Sequence, residues 1–253
     1  MKTIGLIGGL AWPSTANYYR LLCSRTNDHF KRQGVPPPYP TPHLIIDSLD
    51  ISVTRKLRGR AGDEASWANY DTVFRESLQR LKAAGAELGA IASNTPHMRI
   101  ESIRRGLDFP LVSILDATAK QAKRQATHAL VLGTPVTMRH QAYPSALHSH
   151  GVAALPLPPD DAIDSLGHLI DNDLYEGRTD TAQQQILQIC HENLPHAQQA
   201  VVCLACTELP LAFPQFADHA HFSFAGITFI NTIAAHVEAI LHAALHDTED
   251  ESP

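Results

Sequence analysis

No apolar run in these 253 residues approaches the ~20 needed to cross a bilayer as a helix. Cations are scarce as well: 20 lysines and arginines stand against 26 aspartates and glutamates, for a net charge of −6, and they form no block or stripe. Phosphate backbones demand clustered cations, so nucleic acid is excluded as the main partner, and membrane with it. The four cysteines, Cys23, Cys190, Cys203 and Cys206, make no disulfide framework, and reduced thiols are expected. G-x-G-x-x-G and H-E-x-x-H are both missing. The close pairs His148/His150 and His219/His221 have no matching ligand motif, and no metal site is expected. The opening MKTIGLIGGL resembles a signal peptide, but its apolar stretch is short and broken by Gly8 and Gly9. It reads as a first core strand, and the expected location is the cytoplasm.

What is present is apolar material for a core, 44% of residues, arranged as alternating strand and helix signals. Residues 2–7 read as a buried strand that ends at Gly8-Gly9, and Ser14 and Thr15 stand where a helix cap belongs. Proline-rich 36–42 cannot continue a helix. A second strand is expected at 43–46, a helix at 66–84 closed by Gly85, and a third strand at 88–92. Ser93-Asn94-Thr95-Pro96 opens the next helix. Later come a strand at 128–132 stopped by Gly133-Thr134, a helix over 138–148 and a short strand near Val152. Two helices between 160 and 194 come next, then a strand at 199–204 that exits at Cys206-Thr207-Glu208 and a helix over 230–246. The acidic tail 247–253 reads as disordered.

Such alternation predicts parallel sheets with helices on both faces. The halves also match: a glycine closes a strand at Gly8 and at Gly133, and a small nucleophile closes a later one at Ser93 and Cys206. The separations are 85 and 73 residues. In open parallel sheets ligands bind beyond the C-terminal strand ends, so the four turns are expected to line a cleft between two domains. Ser93-Asn94-Thr95 offers hydroxyl, amide and backbone donors suited to a carboxylate; plain helix capping is the alternative. Cys206 at a helix start is expected to have a lowered pKa, an inert buried cysteine being the alternative. Cys203 lies inside the strand and reads as core. The two spell C-x-x-C, but a redox pair would hold both thiols in the turn.

Four motifs carry a resemblance. GGLAWPST from Gly8, ASNTPH from Ala92, GTPVTM from Gly133 and ACTELP from Ala205 resemble, in order and spacing, the motifs of the aspartate/glutamate racemases. The resemblance implies an α/β fold of two pseudo-symmetric Rossmann-like domains, each a parallel sheet with flanking helices, around a site in the interdomain cleft. The divisions expected are 1–115, 116–228, a C-terminal helix 229–246 packing back on the first domain, and the tail 247–253. It further implies a cofactor-independent racemase of an amino acid, aspartate or glutamate, acting as a homodimer. By motif position Cys206 is one acid/base group and Ser93 the other, facing each other at roughly 6–8 Å across the substrate α-carbon. Asn94, Thr95 and Thr207 would hold the α-carboxylate, with Gly9, Leu10, Thr134 and Glu208 completing the substrate-binding set.

This sequence departs from the pattern at Ser93, which stands in place of the first cysteine and is a weaker base, so the reaction is expected to favour one direction. Ser165 stands where the family often has a lysine, and Gly226-Ile227 where it has an Asp-Thr pair. Arg55 and Lys56 are the candidates for meeting an anionic side chain. Hydantoin racemases, maleate isomerases and arylmalonate decarboxylases share the family. A one-thiol carbanion enzyme on a small carboxylic acid, decarboxylase or cis–trans isomerase, therefore stands as an alternative, as does a non-catalytic small-acid binder.

Overall fold

The computed structural model of the chain describes all residues except Ala61, Tyr175, Gly177, Asp180, 195–198 and 247–253. The tail expected to be disordered thus lies outside the described residues. The chain divides into two compact units, Met1–Val112 with Val237–Pro253, and Ser113–His236. Among the described residues no helix is long and apolar enough to cross a membrane.

The first unit runs β1 (Ile4–Gly8), α1 (Trp12–Arg32), β2 (Leu44–Ser48), α2 (Ile51–Lys56), a 3-10 turn (Glu64–Trp67), α3 (Ala68–Ala83) and β3 (Leu88–Ile91). A second 3-10 turn (Thr95–Arg99) and the one-turn helix α4 (Ile100–Ile103) come after it. The sheet order is β2-β1-β3, all parallel. Every residue of β1 is buried, as its unbroken apolar run requires at the centre of a parallel sheet. Helix α1 begins two residues before the expected cap, at Trp12 with Pro13 in its first turn, where the missing proline N–H costs nothing. The short helix α2, capped by Asp50, carried no periodic signal long enough to read.

The second unit runs α5 (Ile114–Gln125), β4 (His128–Gly133), α6 (Pro135–Met138), α7 (Ala142–Ser149), β5 (Ala153–Ala154), α8 (Asp160–His168), a π-helical segment (Leu169–Leu174) and α9 (Ala182–Asn193). It continues with β6 (Ala200–Ala205), 3-10 turns at Leu209–Ala212 and Pro214–Phe216, β7 (His221–Phe224), β8 (Ile227–Asn231) and α10 (Thr232–Leu245). The sheet order is β5-β4-β6-β8-β7. Side chains alternate strictly: Leu130, Leu132, Val202 and Leu204 enter the core under α8 and α9, and Ala129, Val131, Val201 and Cys203 the core under α5 and α7.

Three expectations change. This sheet is not wholly parallel, because β7 pairs antiparallel with β8 through a two-residue turn. Residues 230 and 231 belong to β8 rather than to the last helix, since they pair with Cys203 and Leu204 of β6. The helix expected over 138–148 is two helices, α6 and α7. The parallel fold class itself stands. In both units the first strand lies between the second and third, β2-β1-β3 and β5-β4-β6, so the two halves share one core topology.

Candidate active site

In the first unit β1 and β3 are paired neighbours, so their C-terminal turns lie side by side. The β1 turn needs glycine. Gly9 has φ +78°, and a Cβ there would lie 2.0 Å from the Leu49 carbonyl oxygen. Its N–H donates to Thr15 Oγ1 at 2.9 Å, and that hydroxyl donates in turn to the Ala11 carbonyl at 3.3 Å. The Gly9 amide is therefore taken by the protein's own helix, and Gly9 and Leu10 are half-buried.

After β3, Ser93 is half-buried while Asn94 and Thr95 are buried. The helix expected there is the 3-10 turn Thr95–Arg99. Two side chains hold this turn. His97, fully buried, donates from Nδ1 to the Ser93 carbonyl at 2.8 Å; only a ring N–H can donate to a carbonyl, which fixes the proton on Nδ1. Arg99 reaches both oxygens of Asp71 on α3 at 3.2 and 2.8 Å and Glu64 at 2.6 Å, with its guanidinium over the Trp67 ring. Sequence reasoning missed Arg99. The available signal was a lone arginine two residues beyond the motif histidine, which by itself reads as surface.

In the second unit β4 and β6 are likewise paired, with Gly133 opposite Ala205. A Cβ on Gly133 would stand 2.7 Å from the Ala205 carbonyl oxygen, so glycine is what lets the two strand exits close up. The Thr134 and Thr137 hydroxyls are 3.0 Å apart. Beside them Cys206, Thr207 and Glu208 are each under a tenth exposed. Cys206 Sγ donates to Glu208 Oε2 at 2.8 Å, and Thr207 Oγ1 donates to the same oxygen at 3.1 Å.

The thiol is not a ready thiolate. Burial pushes its pKa well above the ordinary value, and the charge and hydrogen bond of Glu208 push it further, with Asp171 adding to the effect. The lowering expected from a helix start fails because the chain beyond Glu208 forms only a four-residue 3-10 turn, too short to supply a dipole. Cys203 points into the opposite core and burial raises it to about 12, so the C-x-x-C thiols sit on opposite faces of the sheet and form no redox pair.

Other sequence candidates fall elsewhere. Ser165 is exposed on α8, and Arg55 and Lys56 are exposed on the last turn of α2. Gly226 lies in the β7–β8 turn and Ile227 opens β8. The strand exit beside β6 carries Asn231-Thr232 instead: Asn231 Oδ1 caps α10, and the Thr232 hydroxyl donates to the Leu204 carbonyl at 2.8 Å. His150 Nε2 meets Asp116 at 3.4 Å and His221 meets Gln121, while His148 and His219 are exposed. Among the described residues no three His, Cys, Asp or Glu side chains group as a metal site.

Residues 7–240 match the family described as Asp/Glu/Hydantoin racemase. The chain is 27% identical over 148 residues to the broad specificity amino-acid racemase RacX of Bacillus subtilis (strain 168), a match covering 58% of this chain and 61% of that protein's length. Its fold is similar to that of an aspartate racemase homologue from Pyrococcus horikoshii OT3, with 28% identity, TM-score 0.74, and coverage of 97% of this chain and 100% of the other. It is similar in fold also to the Picrophilus torridus aspartate racemase, at TM-score 0.70 and 18% identity over 96% and 94% of the chains.

Proposed function

The chain belongs to the Asp/Glu/hydantoin racemase family, and on that premise we propose that it inverts the α-carbon of an amino acid by proton transfer, with neither pyridoxal nor metal taking part. The observation that carries the reading is the buried Cys206 thiol donating to the Glu208 carboxylate at a strand exit. Glu208 takes the thiol proton, the thiolate so formed takes the substrate α-proton, and charge develops on the α-carbon and its carboxylate. Buried next to Glu208, the thiol needs no standing negative charge, because the acceptor is already in hydrogen-bond contact. Ser93 is the proposed group for the other face. Its hydroxyl can hand over a proton and must recover one from water. Asn94, Thr95, Thr134 and Thr207 are the proposed holders of the α-carboxylate, with Gly9 and Leu10 lining the site.

Serine at the first position favours a second reading, a carbanion enzyme that needs one thiol, such as a decarboxylase or cis–trans isomerase. Proton NMR in D₂O separates the two. A racemase exchanges the α-proton of a free amino acid and loses optical activity, and Cys206→Ala removes both. A one-thiol decarboxylase or isomerase leaves every amino acid untouched. Aspartate and glutamate are the substrates that the family resemblance implies.

A further inference from the structure

The turns that follow β3 and β6 close differently. After Cys206 the backbone closes the turn by itself: the Leu209 N–H, three residues on, donates to the Cys206 carbonyl at 3.2 Å. Three residues after Ser93 stands Pro96, which has no N–H to give. The next N–H, that of His97, goes to the Asn94 carbonyl at 3.1 Å. The Ser93 carbonyl is met instead by the His97 ring, whose Nδ1–H donates to it at 2.8 Å. His97 is 1% exposed, so the bond is made away from water, where losing a partner costs most.

That bond completes the hold on Ser93. The Ser93 N–H donates to the Ile91 carbonyl at 2.8 Å, and the Ala92 N–H donates to the Ile7 carbonyl of β1 at 2.9 Å. With both of its backbone groups engaged, the Cα–Cβ direction of Ser93 is set, and its half-buried hydroxyl keeps one side-chain torsion with three staggered positions. Without the ring, the Ser93 carbonyl has no donor from its own turn, and a peptide that swings carries the Cβ with it. Asn94 is in a different position. Its carbonyl is held by the backbone N–H of residue 97, which survives every substitution there except proline. The ring therefore serves Ser93 and not the residues that follow it.

From this geometry we infer that His97 is a positioning residue that acts through Ser93: its ring keeps the hydroxyl where a proton can pass to the α-carbon. The inference rests on the racemase reading above. The test is racemisation followed by optical rotation, with kcat and KM measured separately on the amino acid that the native chain turns over fastest, from a panel headed by aspartate and glutamate. The variants are His97→Asn, whose amide keeps a donor close to where Nδ1 stands, His97→Gln, whose amide lies one carbon further out, and His97→Leu, which has no donor. His97→Leu and His97→Gln lower kcat by about tenfold or more, because a small misplacement of a reacting group is costly. KM stays within about twofold, since the hold on Asn94 is unchanged. His97→Asn restores most of kcat. If His97→Leu does not fold, the contrast between Asn and Gln carries the same comparison. The inference is overturned if Asn loses as much as Gln, if KM rises while kcat holds, or if the variants keep the native kcat. Racemisation of no amino acid by the folded native chain is a different result: it defeats the racemase reading itself, and this inference falls with it.

Discussion

At Cys206 two influences on one thiol oppose each other. Its place after β6 is why it is proposed as the acid/base thiol, whereas burial and a neighbouring carboxylate favour its protonated form. The conflict resolves if Glu208 is the acceptor, and that gives a signed pH prediction. Glu208→Gln keeps an oxygen for the thiol to bond but loses the group that can take its proton. Exchange at neutral pH should fall by about 10²-fold or more, with KM little changed. The substitution also removes the Glu208 charge that helps raise the thiol pKa, so the loss should shrink as pH rises. Equal losses at pH 7 and pH 10 would show that Glu208 only positions the thiol. For Ser93 the expectation concerns direction. Serine cannot supply an alkoxide at neutral pH, so exchange starting from the enantiomer that meets Cys206 should outrun the other by at least about tenfold, each pKa unit of mismatch being worth about 1.4 kcal/mol. Ser93→Cys should raise the slow direction; equal native rates for both enantiomers would sink this. The sequence was sufficient to tell Cys206 from Cys203, because strand alternation and the exit position are local. It pointed the wrong way on the thiol pKa, expecting it lowered, because the direction depends on the Glu208 side chain folding back on its own turn and on how soon the next helix stops.

Among the elements, turns carried more of the site than helices did. The helix starts expected after Ser93 and Cys206 are 3-10 turns, whereas the long helix α1 leaves the Gly8-Gly9 turn. Each turn is therefore fixed by specific contacts. Gly9 is one: alanine there would put a Cβ against Leu49 at positive φ, and Gly9→Ala should cost at least about 2 kcal/mol of stability in thermal or denaturant unfolding. Arg99 is another. Removing it leaves Asp71 buried without its cation, and Arg99→Met should cost about 3 kcal/mol or more. If the cost comes from the stranded carboxylate, adding Asp71→Leu restores much of it; a double variant no better than the single would place the loss in Glu64 and Trp67 contacts instead. The hairpin of β7 and β8 was legible in principle. Phe222-Ser223-Phe224 alternates, and Ala225-Gly226 closes a two-residue turn with both φ positive. It was missed because β8 passes straight into α10 with no turn residue between them, and a short buried strand and a buried helix look alike in hydrophobicity alone.

For the whole molecule, the likeness of the two halves was readable from the paired glycine and nucleophile turns, because motif spacing survives when strand boundaries blur; the shared order of first strand between second and third was not. Composition does not show that the first unit is built from both ends of the chain; the expectation of a last helix packing back on the first domain came from the family resemblance alone. Residues from Val237 onward group with Met1–Val112 and not with the helix start that precedes them. The link has named contacts: the Lys2 N–H donates to the Ala244 carbonyl at 2.8 Å, and Arg25 on α1 meets Glu238 at 3.2 Å. Val237, Ile240, Leu241 and Ala244 are buried, and the larger three of these are each worth about 1.5–3 kcal/mol. A chain ending at His236 therefore gives up several kcal/mol of apolar burial at the first unit, a large part of what a domain of this size has to spare. The expected result is faster amide exchange in β1 and β3, more than 140 residues away in sequence, while β4 and β6 of the second unit keep most of their protection. Exchange in β1 unchanged by the truncation would show that Met1–Val112 stands alone. Loss of protection first in β4 and β6 would show that the last helix serves mainly the unit in which it begins.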